Sequence, residues 1–257
     1  MKDLLLCIDV GNTQTVLGIF QGRKITSRWR IHSDRDRTAD EYVHLIRDLL
    51  RSDNVDGSSL KGISISCVVP PARQALIEMA DSAFGIEPLV VGPGIRTGMP
   101  ILYDNPREVG ADRIANAVGA YERFQTPLIV IDFGTAITFD IVSEEGEYLG
   151  GVIFPGIQIS LDALFLQAAK LPRVELEKPQ SIIGKDTISS IQAGIIYGYA
   201  SLVDSLVGKI SAEMGTNPIV AATGGLAQVI SAESRTISEI LPDLTLEGLR
   251  ILWERNQ

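Results

Sequence analysis

The chain of 257 residues is long enough for one large domain or two modest ones, each with its own core. Its composition, 45% hydrophobic and 21% charged, lies in the globular range and excludes a mainly disordered or fibrous chain. Lys and Arg number 23 against 32 Asp and Glu, and the net charge of −9 repels a phosphate backbone, so no nucleic-acid partner is expected.

The two cysteines, Cys7 and Cys67, each lie in an apolar run and are predicted to be reduced core residues. The apolar stretch Leu4 to Ile8 is shorter than the hydrophobic region of a secretory signal, and no segment approaches the roughly 18 apolar residues of a membrane span. We therefore expect a cytoplasmic protein with no membrane partner.

An internal repeat organises the chain. Residues 4–15 read LLLCIDVGNTQT and residues 127–138 read PLIVIDFGTAIT, so that in both copies a strand-like run enters Asp, an apolar residue and Gly. Each copy is followed by a second strand-like stretch, a turn at Gly22 or Gly146, and a third short strand. The repeat predicts a three-stranded meander at the start of each half.

Helices and further strands alternate after each meander. Thr38 and Glu41 form a capping box before a run with helical period, which predicts a helix over 39–52. Further helices are predicted at 73–84, 112–124, 158–169 and 187–214, and further strands at 62–69, 88–92 and 218–223. Alternation of this kind indicates an α/β protein with mixed sheets. The duplication indicates two similar lobes, predicted as residues 1–115 and 116–257, with a central cleft between them.

The repeated Asp-x-Gly turn has two interpretations. It is compatible with a simple tight β-turn, the commoner role of Asp and Gly between strands. Alternatively, Gly11 lets the backbone approach a phosphate, and amide donors with Asn12, Thr13 and Thr15 supply hydrogen bonds. Asp9 then helps to hold a metal ion or its water. An acidic turn that occurs twice favours a ligand that carries phosphates and metal.

Three other segments have an open interpretation. Asp112, at the start of a predicted helix, is either an acid favoured by the helix dipole or a general base beside Arg113 as an anion anchor. The segments 150–156 and 223–225 are either packing turns or backbone surfaces for a nucleotide. Gly184-Lys185 is rejected as a P-loop because Pro179 replaces the earlier glycine.

The order of acidic turn, acidic turn and strand-terminal Gly-Gly matches the layout of the actin, hexokinase and Hsp70 nucleotide-binding fold. Further motifs extend across essentially the whole length of the chain: IDVGNT (8–13), VVPP (68–71), Tyr103 with NP (105–106), VGADRIANA (109–117), VIDFGTA (130–136), GGVIFPG (150–156), KLP (170–172), Thr187 with QAG (192–194), and ATGG (222–225). With these motifs in this order and spacing, the chain resembles the type III pantothenate kinases.

This resemblance implies two duplicated ribonuclease H-like (actin-like ATPase) lobes. It implies transfer of the ATP γ-phosphoryl group to the primary hydroxyl of pantothenate, giving 4'-phosphopantothenate in the first step of coenzyme A biosynthesis. The implied cofactors are Mg²⁺ or another divalent cation with ATP, and a monovalent cation, K⁺ or NH₄⁺. It also implies a homodimer, and Gly194 and Gly198 one turn apart on the longest predicted helix would permit close helix approach, unless that helix packs inside its own lobe.

The resemblance also assigns roles to individual residues. Asp112 would be the catalytic base. On physical grounds this carboxylate has to stay ionised, and the adjacent Arg113 would favour that form. Asp132 would bind the monovalent cation, and Thr135 would lie near ATP. The pantothenate site would comprise Tyr103, Gly110, Ala111, Asp112, Arg113 and Thr187. The first phosphate loop would comprise Asp9, Val10, Gly11, Asn12, Thr13, Gln14, Thr15 and Val16.

Two other functions stay open from the residues. An ATP-binding regulatory module would use the same phosphate turns without chemistry. A phosphohydrolase would use them with water as the acceptor. The Gly110–Arg113 element distinguishes these functions from the kinase, because a hydrolase needs no pantothenate pocket.

Overall fold

The computed structural model describes residues 3–257. The chain divides into two compact units. The first contains the described residues up to Glu122 together with Asp243–Gln257, and the second contains Arg123–Pro242. The predicted division after residue 115 falls inside a continuous helix, and the sequence prediction does not include the return of the C-terminal segment to the first unit.

The elements follow the chain in the predicted alternation. Up to the end of the third helix they are β1 Leu4–Val10, β2 Gln14–Gln21, β3 Lys24–His32, α1 Ala39–Ser52, β4 Leu60–Cys67, α2 Pro70–Phe84, β5 Leu89–Val90 and α3 Ala111–Phe124. After it come β6 Leu128–Phe133, β7 Ala136–Val142, β8 Tyr148–Pro155, α4 Ile157–Gln167, α5 Thr187–Met214, β9 Ile219–Gly224, α6 Ala227–Ser231, β10 Glu239–Ile240 and α7 Leu244–Arg255. The short elements α6 and β10 and the helix α7 were not predicted.

The two units share one sheet topology. The strand orders are β3-β2-β1-β4-β5 and β10-β9-β6-β7-β8. In each sheet an antiparallel meander is extended by a parallel strand beside its first strand, β4 beside β1 and β9 beside β6. The predicted meanders and the predicted mixed α/β class are therefore confirmed.

Helix α1 begins where the capping box predicts. The Thr38 hydroxyl accepts a hydrogen bond from the Glu41 backbone N–H at 3.3 Å, and the Glu41 carboxylate accepts one from the Thr38 N–H at 2.8 Å. Its buried residues are Tyr42, Ile46 and Leu50, which join the core on one face of the first sheet. Helix α2 packs into the same core.

Helix α7 covers the opposite face of the first sheet. The Ser64 hydroxyl donates to the Leu249 carbonyl at 3.0 Å, and the Trp253 ring occupies the space above Gly62. Gly62 and Ser64 are the register partners of Leu5 and Cys7 on β1. The sheet is therefore covered on both faces, with α1 and α2 on one side and α7 on the other.

The two cysteines are free thiols in the first unit. Cys7 is fully buried, and burial raises the pKa of its thiol above the ordinary value. Cys67 is half-buried, and its thiol donates to the Val69 carbonyl at 3.1 Å. Both positions agree with the prediction of reduced thiols in apolar surroundings.

The second unit packs α4, α5 and α6 against its sheet. The core residues on the strands include Ile129, Ile131 and Phe139, and α5 contributes Val203 and Val207. Within residues 3–257, no helix combines the length and the apolar character needed to cross a bilayer.

Candidate active site

The first acidic turn joins β1 to β2. The Gly11 N–H donates to the Gln14 carbonyl at 3.0 Å and closes the hairpin. Asn12, Thr13 and Gln14 are exposed at its tip, whereas Thr15 is buried and hydrogen-bonds through its hydroxyl to Ser33 at 2.8 Å. The predicted phosphate loop is thus a hydrogen-bonded turn whose exposed side chains carry two amides and one hydroxyl.

Asp9 lies at the end of β1, just before this tip. It is half-buried, and its partners in the ladder are Val16 on β2 and Ser66 on β4. Side chains of neighbouring strands in register share a face of the sheet, so the buried Ser66 lies beside Asp9. Sequence reasoning gave Ser66 no role, because only the parallel β1–β4 pairing brings it to Asp9.

The second acidic turn joins β6 to β7 in the same way but is shorter. Here the Gly134 N–H donates to the Ala136 carbonyl at 3.2 Å, and the Gly156 N–H holds the turn by donating to the Thr135 carbonyl at 3.1 Å. Strand β7 begins two residues after Gly134, where β2 begins three residues after Gly11. The two copies of the repeat therefore differ by one residue at the tip.

Asp132 and the strand-terminal Gly-Gly meet at one edge of the second sheet. Asp132 is the register partner of Thr223, and Gly224 follows with a left-handed φ of +92°. A Cβ at Gly224 would lie 2.6 Å from the Asp132 carboxylate oxygen, so a residue larger than glycine would displace that carboxylate. The structure thus brings together Asp132, the Thr135 turn and residues 223–225.

Asp112 is in the first turn of α3, and its carboxylate folds back over Gly110. One carboxylate oxygen accepts a hydrogen bond from the Arg113 backbone N–H at 2.9 Å. Burial raises the pKa of Asp112 above its ordinary range, and the N–H and charge of Arg113 only partly oppose that effect. Arg113 therefore favours the ionised form, as predicted, but desolvation outweighs this contribution and the net shift of the Asp112 pKa is upward.

The other predicted substrate residues lie on separate segments. Tyr103 is half-buried in a bend that precedes the short 3-10 turn Pro106–Glu108 of the first unit. Arg113 is buried in α3. Thr187 is the first residue of α5 and belongs to the second unit, outside the unit that contains Gly110–Arg113.

Thr187 lines a cavity of about 770 Å³ in the second unit. Lys185 lines it as well, and the apolar walls come from α4, α5 and the segment that joins them: Leu164, Leu171, Ile191 and Ile195. Sequence reasoning rejected Gly184-Lys185 as a P-loop and missed this cavity. Only the signal of a lysine just before a helix N-terminus would have indicated it.

Two units of this topology, each with an acidic strand-end turn, define the class of proteins with the actin-like ATPase fold. A ROK family glucokinase from Streptomyces griseus, solved with glucose and AMPPNP, has a TM-score of 0.52 at 14% identity and covers 97% of this chain and 98% of its own. A conserved Campylobacter jejuni protein assigned to the Baf family of transcriptional activators has a TM-score of 0.62 at 18% identity. The match covers 98% of this chain and 98% of its own. These likenesses concern the fold alone, and they confirm the predicted fold class.

Sequence relatives define the family. The model of the type III pantothenate kinase family matches residues 5–209. A type III pantothenate kinase from Syntrophus aciditrophicus is 55% identical, and the match covers 98% of this chain and 100% of its own. A type III pantothenate kinase from Myxococcus xanthus is 52% identical, and the match covers 98% of this chain and 99% of its own. The chain therefore belongs to the type III pantothenate kinase family, and the predicted resemblance is confirmed.

Proposed function

We propose that Asp112 is the general base with which this chain transfers the γ-phosphoryl group of ATP to the primary hydroxyl of pantothenate. The reaction follows from family membership, which makes the chain an ATP-dependent pantothenate kinase of coenzyme A biosynthesis, as predicted. The comparisons favour neither the regulatory module nor the phosphohydrolase. The observation that carries the role of Asp112 is its half-buried carboxylate in the first turn of α3, which folds back over Gly110 and has a raised pKa.

Such a carboxylate suits proton abstraction from an alcohol. A base is most effective when its pKa approaches the working pH, and burial moves Asp112 in that direction. Phosphoryl transfer requires alignment and charge stabilisation more than covalent chemistry. In the proposed mechanism a carboxylate oxygen of Asp112 takes the hydroxyl proton as the alcohol oxygen attacks the γ-phosphorus, and ADP leaves.

The phosphates of ATP are assigned to the two acidic turns. Residues 9–16 would bind them through the backbone and the exposed Asn12 and Thr13, and Thr135 would contact ATP from the second turn. No cluster of three or more His, Cys, Asp or Glu that could hold a metal occurs among residues 3–257. A single carboxylate such as Asp9 nevertheless suits Mg²⁺, which commonly uses one or two carboxylates together with phosphate oxygens and water.

We assign the monovalent cation, K⁺ or NH₄⁺, to Asp132. A carboxylate beside the phosphates of ATP would repel them unless a cation neutralised it. The close approach of Gly224 to the Asp132 oxygen supports a fixed carboxylate at this strand edge.

Pantothenate carries a carboxylate at one end and a dimethyl-substituted carbon beside the primary hydroxyl at the other. Its site is assigned to Tyr103 and Gly110–Arg113, with Thr187 contributed across a dimer. Arg113 would anchor the carboxylate of the substrate. Thr187 supports this assignment because it lines a cavity that combines Lys185 with apolar walls.

The dimer and the cytoplasmic location are parts of the same proposal. Gly194 and Gly198 are exposed on α5, and apart from their chain neighbours and the adjoining α5 backbone no atom of residues 3–257 lies within 4 Å of the Cβ positions. Large apolar side chains are also exposed in this unit: Leu166 at 72%, Ile182 at 64% and Ile183 at 75%. Exposed apolar surface of this kind is typical of an interaction site.

The decisive experiment is Asp112→Asn. Asparagine keeps the shape but does not take up the alcohol proton, so turnover should fall by about 10² to 10⁴-fold, the usual contribution of a general base. Stability should be retained, because the raised pKa means that the ionised carboxylate does not favour the folded state. ADP release with and without pantothenate measures the loss, while ATP binding and thermal unfolding report on the intact fold.

Each alternative predicts a different result in this assay. ADP release by the wild type without pantothenate would favour the phosphohydrolase, and no release at all would favour the binding module. Turnover of Asp112→Asn within threefold of the wild type would exclude Asp112 as the base.

A further inference from the structure

We infer that α7 is a positioning element of the active site, and that Thr245 and Gly248 on it set the placement of α3 and therefore of Asp112. This inference rests on the role proposed for Asp112. It concerns a segment beyond the residues 5–209 matched by the family model.

The backbones of α3 and α7 touch where glycines face each other. A Cβ at Gly248 would overlap the carbonyl of Ala115, and a Cβ at Gly119 would lie 3.0 Å from the Leu244 carbonyl oxygen. Interiors packed this closely transmit a displacement of one element to the next. A side chain at position 248 would therefore push α3 at a point one turn beyond Asp112.

A buried hydrogen bond fixes the same part of α3. The Thr245 hydroxyl donates to the side-chain oxygen of Asn116 at 2.7 Å, and Asn116 is 1% exposed. Asn116 stands four residues after Asp112, so the two side chains share one face of the helix. Thr245 thus fixes the rotation of the helix face that carries the proposed base.

On its other side, α7 is fixed to the sheet. The Leu249 carbonyl accepts from Ser64 at 3.0 Å, and Ser64 is next but one along β4 from Ser66, the partner of Asp9. Arg255 pairs with Glu122, at the far end of α3, at 2.9 Å. Helix α7 therefore connects the strand end that carries Asp9 with the helix start that carries Asp112, and it sets their relative placement inside the first unit.

The test compares Thr245→Val with Thr245→Ser. Valine keeps the shape but removes the hydroxyl that donates to the buried Asn116 oxygen, whereas serine keeps it. We expect Thr245→Val to lower kcat/KM for pantothenate by about tenfold, because a small displacement of α3 moves the proposed base out of alignment, and Thr245→Ser to restore most of it. The KM for ATP should stay within about twofold, because the turn that carries Asp9 does not move. The acidic limb of the pH profile should shift, since the burial of Asp112 changes.

Thr38→Ala is the matched control, because it lowers stability by removing the α1 cap without touching α3. Its kcat/KM for pantothenate and its pH profile should equal those of the wild type. Gly248→Ala should give the same signature as Thr245→Val, but larger. The inference is overturned if Thr245→Val lowers thermal stability as Thr38→Ala does and keeps kcat/KM for pantothenate and the pH profile unchanged.

Asp112→Asn, measured in parallel, separates this inference from the proposed function. An active Asp112→Asn would remove the base role. The pantothenate KM and kcat of Thr245→Val would still decide, independently, whether α7 positions the substrate end of α3.

Discussion

Asp132 is held against the backbone of β9, with Gly224 packed on its carboxylate. If a monovalent cation neutralises this carboxylate beside ATP, turnover should be higher in potassium or ammonium than in sodium. Asp132→Asn should remove the response to potassium. Steady-state rates at equal ionic strength in KCl, NH₄Cl and NaCl measure it, and equal turnover of the wild type in sodium and potassium would contradict the assignment.

Asp112 illustrates which properties of a residue its sequence neighbours reveal. The adjacent Arg113 predicts an environment that favours the charged form, and it does lower the pKa, yet burial outweighs it and raises the pKa overall. Burial depends on the elements that cover α3, among them α7, and no local pattern encodes them. The position of Asp112 at a helix start was predictable from the sequence, whereas the direction of its pKa shift was not.

The carboxylate of Asp204, near the middle of α5, is a hydrogen-bond acceptor for the segment that follows α6. It accepts hydrogen bonds from the Ser234 hydroxyl at 2.7 Å, from the Arg235 N–H at 3.0 Å and from the Thr236 hydroxyl at 2.8 Å. Partial burial raises the pKa of Asp204, but these hydrogen bonds together lower it below the ordinary value. This carboxylate thus holds the segment between α6 and β10.

Asp204→Ala should release that segment. Arg235 is exposed, so trypsin should cleave after it faster in the variant than in the wild type. Because the folded pKa is lowered, the stabilisation is present above the ordinary pKa of Asp and is lost as the pH falls through the lowered value. Limited proteolysis at neutral pH measures the effect, with Asp48→Ala on α1 as an exposed control, and equal cleavage rates for wild type and variant would show that Asp204 does not hold the segment.

The elements differ in how much of their structure is local. The α1 capping box and the glycine turns of the meanders lie within a few residues, and both were predicted. Helix α7 begins after Asp243, whose side chain makes no capping hydrogen bond. Its packing partners, Gly62 and Gly119, are distant in sequence, so nothing near α7 predicted where it packs.

At the scale of the whole molecule, the exposed face of α5 that carries Gly194 and Gly198 predicts a dimer. Gly194→Leu should favour the helix by about 1 kcal/mol in each chain through its intrinsic propensity, yet it should separate the subunits because leucine fills the space for a partner helix. Sedimentation velocity measures whether the subunits separate, and turnover of the same samples measures whether activity is lost with the dimer. Glu213→Leu, about 100° away around the helix, is the control and should remain dimeric. A wild type that is active and monomeric at assay concentration would contradict the dimer.

The return of α7 to the first unit also sets an order of events during synthesis. The ribosome completes Arg123–Pro242, a continuous stretch, before it makes Leu244–Arg255. The second unit therefore has all its segments while the first sheet still lacks the cover over Gly62 and Ser64. The unit whose synthesis begins first is therefore the last to receive all its segments. A nascent chain that stops before Leu244 contains every proposed catalytic side chain but lacks the helix that packs against α3.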